Sequence, residues 1–217
     1  MKIKLCIFDL DGTLLDTIDD IGNSMNHALI ESGFPPRSIT EHKNNVGFGA
    51  RKLLDSALPL GHGLSEERCA EIVGLFKERY RAHSMDMTKP YEGIPELLRF
   101  LGGAGIKLAV VSNKPHKITV DLMEEFFGDV DFVAIYGEQS CWPMKPDPYL
   151  AHEILSLSGV LPEQALVIGD GEPDMIFAEN ASIFSIGVLW GFRSREILEA
   201  SGAKAFVDKP EQIKDYL

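Results

Sequence analysis

Cys6–Asp16, with the sequence CIFDLDGTLLD, organises the rest of this 217-residue chain. The apolar run Ile3–Phe8 has the near-continuous hydrophobicity of a strand that is buried on both faces. Two carboxylates, Asp9 and Asp11, follow it, and open α/β sheets bind their ligands at the carboxyl ends of such strands. Gly12 lacks a Cβ atom and lets the chain curl so that both carboxylates reach one point. The stretch therefore predicts a core strand that ends in an active site.

Two simpler interpretations of the same stretch compete with the catalytic one. A hairpin turn at Asp11-Gly12 would join two apolar strands, but it explains neither Asp9 nor Thr13. A calcium loop of the EF-hand type needs a later glycine and a closing glutamate, which the sequence lacks at the expected place. The catalytic interpretation accounts for all four residues.

The segment Asp9–Thr13, DLDGT, resembles the DxDGT nucleophile motif of haloacid-dehalogenase-type phosphatases. A carboxylate such as Asp9 is ionised at neutral pH and can attack phosphorus without a general base, giving an aspartyl-phosphate. Asp11 would protonate the departing alkoxide and later deprotonate the attacking water. The resemblance places Gly12 and Thr13 in the phosphate-binding loop. Dehalogenating relatives lack the second carboxylate, so Asp11 favours phosphate chemistry over carbon–halogen chemistry.

The composition is that of an ordinary globular protein, with 45% hydrophobic and 25% charged residues. No apolar run is long enough to span a membrane, and the N-terminus does not resemble a signal peptide. The net charge of −12 opposes binding to nucleic acid or to anionic membranes. We therefore expect a cytoplasmic protein, a monomer or a homodimer, whose partner is a small phosphorylated metabolite. Three cysteines without metal-like spacing predict reduced thiols and no structural zinc: Cys6, Cys69 and Cys141.

The hydrophobic periodicity divides the chain into a core and an insert. Between about Asp16 and Lys89 it is helical throughout, most clearly over Ala50–Leu58 and Ser65–His83. The sequence therefore predicts an α-helical domain at 17–88, inserted into a core domain made of residues 1–16 and 89–217. The resemblance implies that this insert is a cap that closes over the substrate.

From Pro90 onward, strand patterns alternate with helix patterns. This order predicts an α/β fold, a Rossmann-like and mostly parallel sheet with right-handed crossovers. The expected strands are 106–111, 132–136, 165–168, 184–189 and 205–207, and the expected helices are 94–101, 117–127, 147–159, 174–179 and 194–200.

A metal site is expected because an anionic nucleophile and a phosphate repel each other, which makes a hard dication such as Mg²⁺ almost obligatory. Asp170 and Asp174 stand four residues apart at a strand end and a helix start, so both can face one cation. Gly169–Asp174 resembles the acidic metal motif of the family, and the resemblance adds Asp9 and the main-chain carbonyl of Asp11 as further ligands. Gly171 departs from the Ser or Thr that is commoner there, which weakens the expected supporting hydrogen bonds.

Three further residues are expected to bind the phosphoryl group. Ser112 and Asn113 resemble the second family motif, a hydroxyl and an amide that hydrogen-bond a phosphoryl oxygen. Lys145 resembles the family's basic residue, a point charge that can pair with both Asp9 and phosphate.

Substrate selection is expected in the insert. The stretch Val46–Leu54 resembles a cap segment of phosphoglycolate phosphatases, as does Gly187–Phe192 near the C-terminus. Gly47 and Gly49 leave backbone amides open at a predicted helix N-terminus, which favours a carboxylate such as that of glycolate, and Arg51 adds positive charge. An ordinary helix entry with a solvated Arg51 explains the segment equally well.

The sequence thus predicts a Mg²⁺-dependent phosphatase with 2-phosphoglycolate as the leading substrate. Sugar phosphates, nucleotides and pyrophosphate remain open as substrates, and phosphomutase action remains open as an activity. A phosphate-binding regulatory module without turnover is the rival from another class, and the retained Asp9 and Lys145 oppose it, because binding alone needs no nucleophile. The roles of His116, Trp142 and Trp190 stay undecided.

Overall fold

A computed structural model of the chain describes residues 2–217. Two compact units are present: the residues up to Asp16 together with Pro90–Leu217, and the segment Thr17–Lys89. The second unit spans the region in which an insert is expected. In residues 2–217, none of the helices has both the length and the apolar character needed to cross a membrane.

The first unit is built on a parallel sheet of six strands among the described residues. In chain order the strands of the molecule are β1 Leu5–Phe8, β2 Leu15–Asp16, β3 Lys89–Pro90, β4 Lys107–Pro115, β5 Ala134–Glu138, β6 Ala165–Gly169, β7 Phe184–Val188 and β8 Ala205–Val207. The six-stranded sheet has the order β5-β4-β1-β6-β7-β8. Every pairing in it is parallel, which confirms the predicted α/β class.

The helices follow the predicted alternation closely. The first unit contains α5 Ile94–Gly103, α6 His116–Phe127, α7 Tyr149–Ser158, α8 Glu172–Asn180 and α9 Arg195–Ala200, and the second contains α1 Ile18–Glu31, α2 Ile39–Lys43, α3 Ala50–Ala57 and α4 Glu66–His83. Short 3₁₀ helices cover Pro162–Gln164 and Pro210–Tyr216. α2 lies in the region predicted to be helical, although the sequence analysis gave it no bounds of its own; Ser38 and Glu41 form the capping box that marks its start.

The position of β1 explains why the site forms where it does. Its four residues are at most 1% exposed, since neighbouring strands and helices cover both faces. Phe8 is aligned with Val110 of β4 and with Ile168 of β6. Asp9 therefore leaves the sheet level with the end of β6 at Gly169, whereas β4 continues to Pro115. The thiol of Cys6 is buried here, which raises its pKa to about 12 and keeps it protonated.

The second unit is held together by its own apolar core and by one buried carboxylate. Phe76 and Tyr80 of α4 stack with their ring centroids 5.6 Å apart. Asp20 of α1 accepts hydrogen bonds from the backbone N–H groups of Met87 and Thr88 and from the Thr88 hydroxyl, at 2.8–3.1 Å. This carboxylate ties the first helix of the unit to the unit's C-terminal segment.

Candidate active site

The loop after β1 has the curl that the sequence predicts. The carbonyl of Leu10 accepts hydrogen bonds from three consecutive backbone N–H groups, those of residues 13–15, at 3.0–3.3 Å. Gly12 has a φ of +83°, in the left-handed region, and a Cβ atom built on it would lie 2.3 Å from Oδ2 of Asp170. The position thus needs glycine both for its backbone conformation and for the close approach of the Asp170 carboxylate.

Lys145 stands at the centre of the site. Its ammonium group donates hydrogen bonds to Oδ1 of Asp9 at 2.8 Å, to Oδ1 of Asp174 at 2.6 Å and to the carbonyl of Val111 at 2.7 Å. The side chain is only 4% exposed. Because three acceptors match the three protons of the ammonium group, the buried charge is fully hydrogen-bonded.

Asn113 fixes the backbone of Lys145. Its Oδ1 accepts from the backbone N–H of Lys145 at 2.9 Å, and its Nδ2 donates to the carbonyl of the same residue at 3.0 Å. This pair of hydrogen bonds joins the end of β4 to the loop before α7. The phosphate-binding role expected of Asn113 stays a prediction, and the geometry adds a positioning role that the sequence analysis did not include.

Asp170 is held at both of its carboxylate oxygens. The Thr13 hydroxyl donates to Oδ1 at 3.0 Å, and the backbone N–H of Phe192 donates to Oδ2 at 2.7 Å. A Cβ atom on Gly191 would lie 2.3 Å from Cβ of Asp170, so only glycine permits the backbone to approach Asp170 this closely. The loop at 190–193 is therefore part of the site, and the sequence indicated this only through its resemblance to known phosphatases.

Asp174 completes a cluster of three carboxylates. It lies in the first turn of α8, where its Oδ2 accepts from the backbone N–H of Gly171 at 3.0 Å. One carboxylate oxygen each from Asp9, Asp170 and Asp174 lie within 4.8 Å of one another. Such an all-oxygen donor set suits a hard dication such as Mg²⁺.

Burial, followed by the mutual repulsion of the carboxylates, dominates the electrostatics of the cluster. Burial, and then the nearby Asp174, raise the pKa of Asp9 well above its usual range, although Lys145 opposes this. Burial and Asp174 likewise raise the pKa of Asp170 to about 7 against the Phe192 N–H, the Thr13 hydroxyl and Arg193. Burial alone would lower the pKa of Lys145, but Asp174 and Asp9 outweigh it and raise that pKa. A cation placed among the carboxylates would relieve this repulsion.

Two buried basic residues of the site had no role in the sequence analysis. The Nζ atom of Lys114 lies 2.8 Å from Oδ1 of Asp11, and its side chain is 2% exposed. Arg193, 4% exposed, donates through Nε to Glu172 at 2.8 Å. The signal for Lys114 was its place beside Ser112 and Asn113 at a strand end; nothing in the sequence pattern pointed to Arg193.

The aromatic residues left open by the sequence have defined contacts. Trp190 donates its indole N–H to the carbonyl of Thr13 at 3.0 Å and lines, with Tyr91, a cavity of about 760 Å³ in the first unit. Trp142 donates its indole N–H to the carbonyl of Gly137, and its ring packs edge-on against His116. Trp190 thus contacts the loop after β1, whereas Trp142 packs against β5 and α6.

The residues proposed for substrate selection lie in the helical unit. Gly47 and Gly49 have φ values of +108° and +87°, and Gly49 is the N-cap of α3. The guanidinium of Arg51 donates to Asp55 at 2.8 Å and to both carboxylate oxygens of Glu66. The substrate role of these residues stays a prediction, and a substrate carboxylate would compete with Glu66 for Arg51.

Comparisons with known proteins identify relatives in sequence and in fold. The chain is 32% identical over 219 residues to a phosphoglycolate phosphatase of Vibrio vulnificus, which covers 99% of this chain and 96% of that protein. It is 34% identical over 204 residues to a phosphoglycolate phosphatase of Vibrio cholerae, with 90% and 88% covered. A crystal structure from Lactobacillus delbrueckii subsp. bulgaricus, of a protein provisionally named a phosphoglycolate phosphatase, is 32% identical, covers 100% of this chain and 98% of that one, and gives a TM-score of 0.91. The family model of haloacid dehalogenase-like hydrolases matches residues 6–188, and the chain therefore belongs to that family.

Proposed function

We propose that this protein hydrolyses 2-phosphoglycolate in a Mg²⁺-dependent reaction that passes through an aspartyl-phosphate on Asp9. The enzyme is a phosphoric monoester hydrolase of the haloacid dehalogenase-like family. The observation that carries the proposal is the grouping of Asp9, Asp170 and Asp174 around Lys145, with their oxygens within 4.8 Å of one another at the carboxyl end of the sheet. Binding phosphate alone would need cations and amides rather than three clustered carboxylates.

The proposed reaction has two half-reactions, in which the aspartyl-phosphate forms and is then hydrolysed. In the first, a carboxylate oxygen of Asp9 forms a bond to phosphorus while the bond from phosphorus to the ester oxygen breaks, and Asp11 gives its proton to the departing oxygen. In the second, water attacks the same phosphorus, Asp11 takes up the proton of that water, and the bond from phosphorus to Asp9 breaks. Inorganic phosphate leaves, and both carboxylates return to their starting state.

The metal-binding prediction fits the donor set of the site. Asp9, Asp170 and Asp174 would hold Mg²⁺ through carboxylate oxygens, and the carbonyl of Asp11 is the further ligand expected from the sequence. When bound, Mg²⁺ supplies positive charge that offsets the repulsion between the carboxylate nucleophile and the phosphoryl oxygens. Lys145 orients Asp9 and contributes its own charge, while Thr13 and the Phe192 N–H hold Asp170 in place.

The choice of 2-phosphoglycolate rests on the relatives and on the helical unit. The curated relatives named above carry the name phosphoglycolate phosphatase. The unit Thr17–Lys89 is proposed to act as the cap that selects the substrate. Within it, the backbone at Gly47 and Gly49 and the charge of Arg51 are proposed to recognise the carboxylate that distinguishes this ester from neutral phosphates.

The proposal is tested by measuring phosphate release from 2-phosphoglycolate, hexose phosphates, nucleotides, pyrophosphate and an aryl phosphate, with Mg²⁺ or with EDTA. Asp9→Asn is the control. Preferred turnover of 2-phosphoglycolate that needs Mg²⁺ and disappears in the variant supports the whole proposal. Preference for another ester retains the mechanism and removes the substrate assignment, and transfer of phosphate to a second sugar hydroxyl reveals a mutase. Phosphate binding without turnover of any ester overturns the proposal in favour of a binding module.

A further inference from the structure

Two buried lysines pair with different carboxylates of the site. Lys145 contacts Asp9 and Asp174, which belong to the three-carboxylate cluster. Lys114 contacts Asp11 through an ion pair of 2.8 Å, in which the side chains are 2% and 10% exposed. Asp11 therefore has a cationic partner of its own, supplied by the end of β4 rather than by the loop that carries Lys145.

We infer that Lys114 is a positioning residue: its ammonium group holds the Asp11 carboxyl group through Oδ1, so that the proton carried on Oδ2 is directed at the departing oxygen. This inference rests on the proposed phosphatase function and deepens it. Without an anchor, a carboxylate two residues from Asp9 in a tightly curled loop has rotamers that would turn it toward the cation site. An ion pair to Lys114 selects one orientation and keeps Asp11 assigned to proton transfer.

The backbone of Lys114 is fixed well enough to act as such an anchor. Its N–H donates to the Ser112 hydroxyl at 3.3 Å, and its carbonyl accepts from the Thr119 hydroxyl at 3.3 Å. A Cβ atom on Gly137 would lie 2.7 Å from the carbonyl of Lys114, so β5 packs closely against this backbone. Three contacts thus fix the backbone of Lys114, so its side chain extends toward Asp11 from a defined position.

A buried ion pair is a poor choice for stability alone. Taking both charges out of water costs as much as their attraction returns, and apolar residues of similar size often stabilise a core as well or better. A lysine that is 2% exposed beside the predicted proton donor is therefore better explained by function. Its two functional possibilities are positioning of Asp11 and direct binding of the phosphoryl group, and they predict different kinetics.

The test compares two esters that differ in their need for a proton. A small alkyl phosphate has a leaving group that must be protonated, whereas the phenolate that leaves p-nitrophenyl phosphate needs little assistance. Because kcat/KM includes only the steps up to loss of the leaving group, it isolates the half-reaction in which Asp11 acts as an acid. Lys114→Met and Lys114→Arg are measured on both esters beside the wild type, with thermal unfolding as the check on folding.

If Lys114 positions Asp11, Lys114→Met lowers kcat/KM for the alkyl ester by about 10²-fold and for the aryl ester by less than about 10-fold. Lys114→Arg, which keeps the charge but moves it, recovers part of the loss on the alkyl ester only. In an Asp11→Asn background, Lys114→Met has little further effect, because the two residues act as one unit.

Equal losses of kcat/KM on both esters would overturn the inference and assign Lys114 to phosphate binding or to folding. Should Lys114→Met fail to fold, Lys114→Arg carries the same comparison, and an equal loss in that variant overturns it as well. A wild-type protein that cleaves neither of these esters, nor 2-phosphoglycolate, removes the proposed function and the inference with it. A wild-type protein that cleaves both, with equal losses in the variants, removes the inference alone.

Discussion

The ammonium group of Lys145 donates a hydrogen bond of 2.8 Å to Oδ1 of Asp9, although 136 positions separate the two residues along the chain. A second bond from the same group, of 2.6 Å, reaches Asp174. Lys145 thus links the loop after β1 to the first turn of α8, and it fixes the position of the proposed nucleophile Asp9 relative to Asp174, a proposed metal ligand. The first prediction concerns the loss of this link.

Lys145→Met is expected to abolish turnover and to destabilise the metal-free protein at neutral pH. Removing one partner of a buried ion pair leaves carboxylates unpaired at a cost of about 3–5 kcal/mol. Urea-induced unfolding in EDTA measures the change. Lys117→Met is the matched control, because Lys117 pairs with Asp121 on the surface with its side chain 72% exposed, and its loss costs less than about 1 kcal/mol. Equal destabilisation by the two substitutions would show that the central ion pairs do not hold the site together.

Gly12→Ala tests the close packing between the loop after β1 and Asp170. The new Cβ atom would lie 2.3 Å from Oδ2 of Asp170 and must displace that carboxylate, so activity is expected to fall by about 10²-fold or more. Gly33→Ala is the control, because Gly33 has the same φ of +83° and no atom within 4 Å of its Cβ position. Each substitution carries the strain of a left-handed residue, about 1–2 kcal/mol.

The comparison of these two variants separates packing from backbone strain. Both should unfold at lower temperature than the wild type, and only Gly12→Ala should lose activity. If Gly12→Ala keeps full phosphatase activity, the contact between this loop and Asp170 is not needed for catalysis.

Mg²⁺ is expected to stabilise the protein more strongly at high pH than at low pH. Burial and Asp174 raise the pKa of Asp170 from 3.8 to about 7, and the pKa of Asp9 is raised as well. Since folding disfavours the ionised form, these groups destabilise the metal-free protein progressively as the pH rises from about 4 through about 7. Cation binding needs the ionised carboxylates, so it removes this penalty where the penalty is largest.

Thermal unfolding in EDTA and in Mg²⁺, at pH about 5.5 and about 8, measures this linkage. The increase in Tm on adding Mg²⁺ should be larger at the higher pH. In Asp170→Asn, whose side chain cannot ionise, Mg²⁺ should raise Tm by less than in the wild type. The Tm of this variant in EDTA should also depend less on pH. An increase of the same size at both pH values would contradict the coupling of these carboxylates to metal binding.

The sequence predicted the sheet and the acidic cluster because both depend on short-range patterns. A buried apolar strand followed by two carboxylates indicates β1 and Asp9 directly. The spacing of Asp170 and Asp174 at a strand end and a helix start, together with the resemblance to a known motif, indicated the other two carboxylates. The end of β4 was less predictable. The strand continues to Pro115 instead of ending at Val111, with a shift of register between these two residues.

Contacts made across the fold could not be predicted from such patterns. The phosphate-binding role of Asn113 stays a prediction, but no sequence pattern could reveal its two hydrogen bonds to the backbone of Lys145, 32 positions away. The ion pair between Lys114 and Asp11 likewise appears only when β4 lies beside β1. Sequence patterns identified which strand ends carry chemistry, and tertiary structure decided which side chain holds which.

Arg51→Ala tests the proposal that the helical unit recognises a substrate carboxylate. Arg51 is 42% exposed, and its guanidinium group donates to both carboxylate oxygens of Glu66. A substrate carboxylate would bind the guanidinium group in the same two-pronged way. Loss of an ionic hydrogen bond to the substrate should raise KM for 2-phosphoglycolate by roughly 10-fold. KM for p-nitrophenyl phosphate, which has no carboxylate, should stay unchanged. Arg68→Ala is the control, because Arg68 is 43% exposed in the same unit and pairs with Glu71. If KM rises equally for both esters, or if Arg68→Ala has the same effect, Arg51 serves the helical unit through its ion pairs and does not select the substrate.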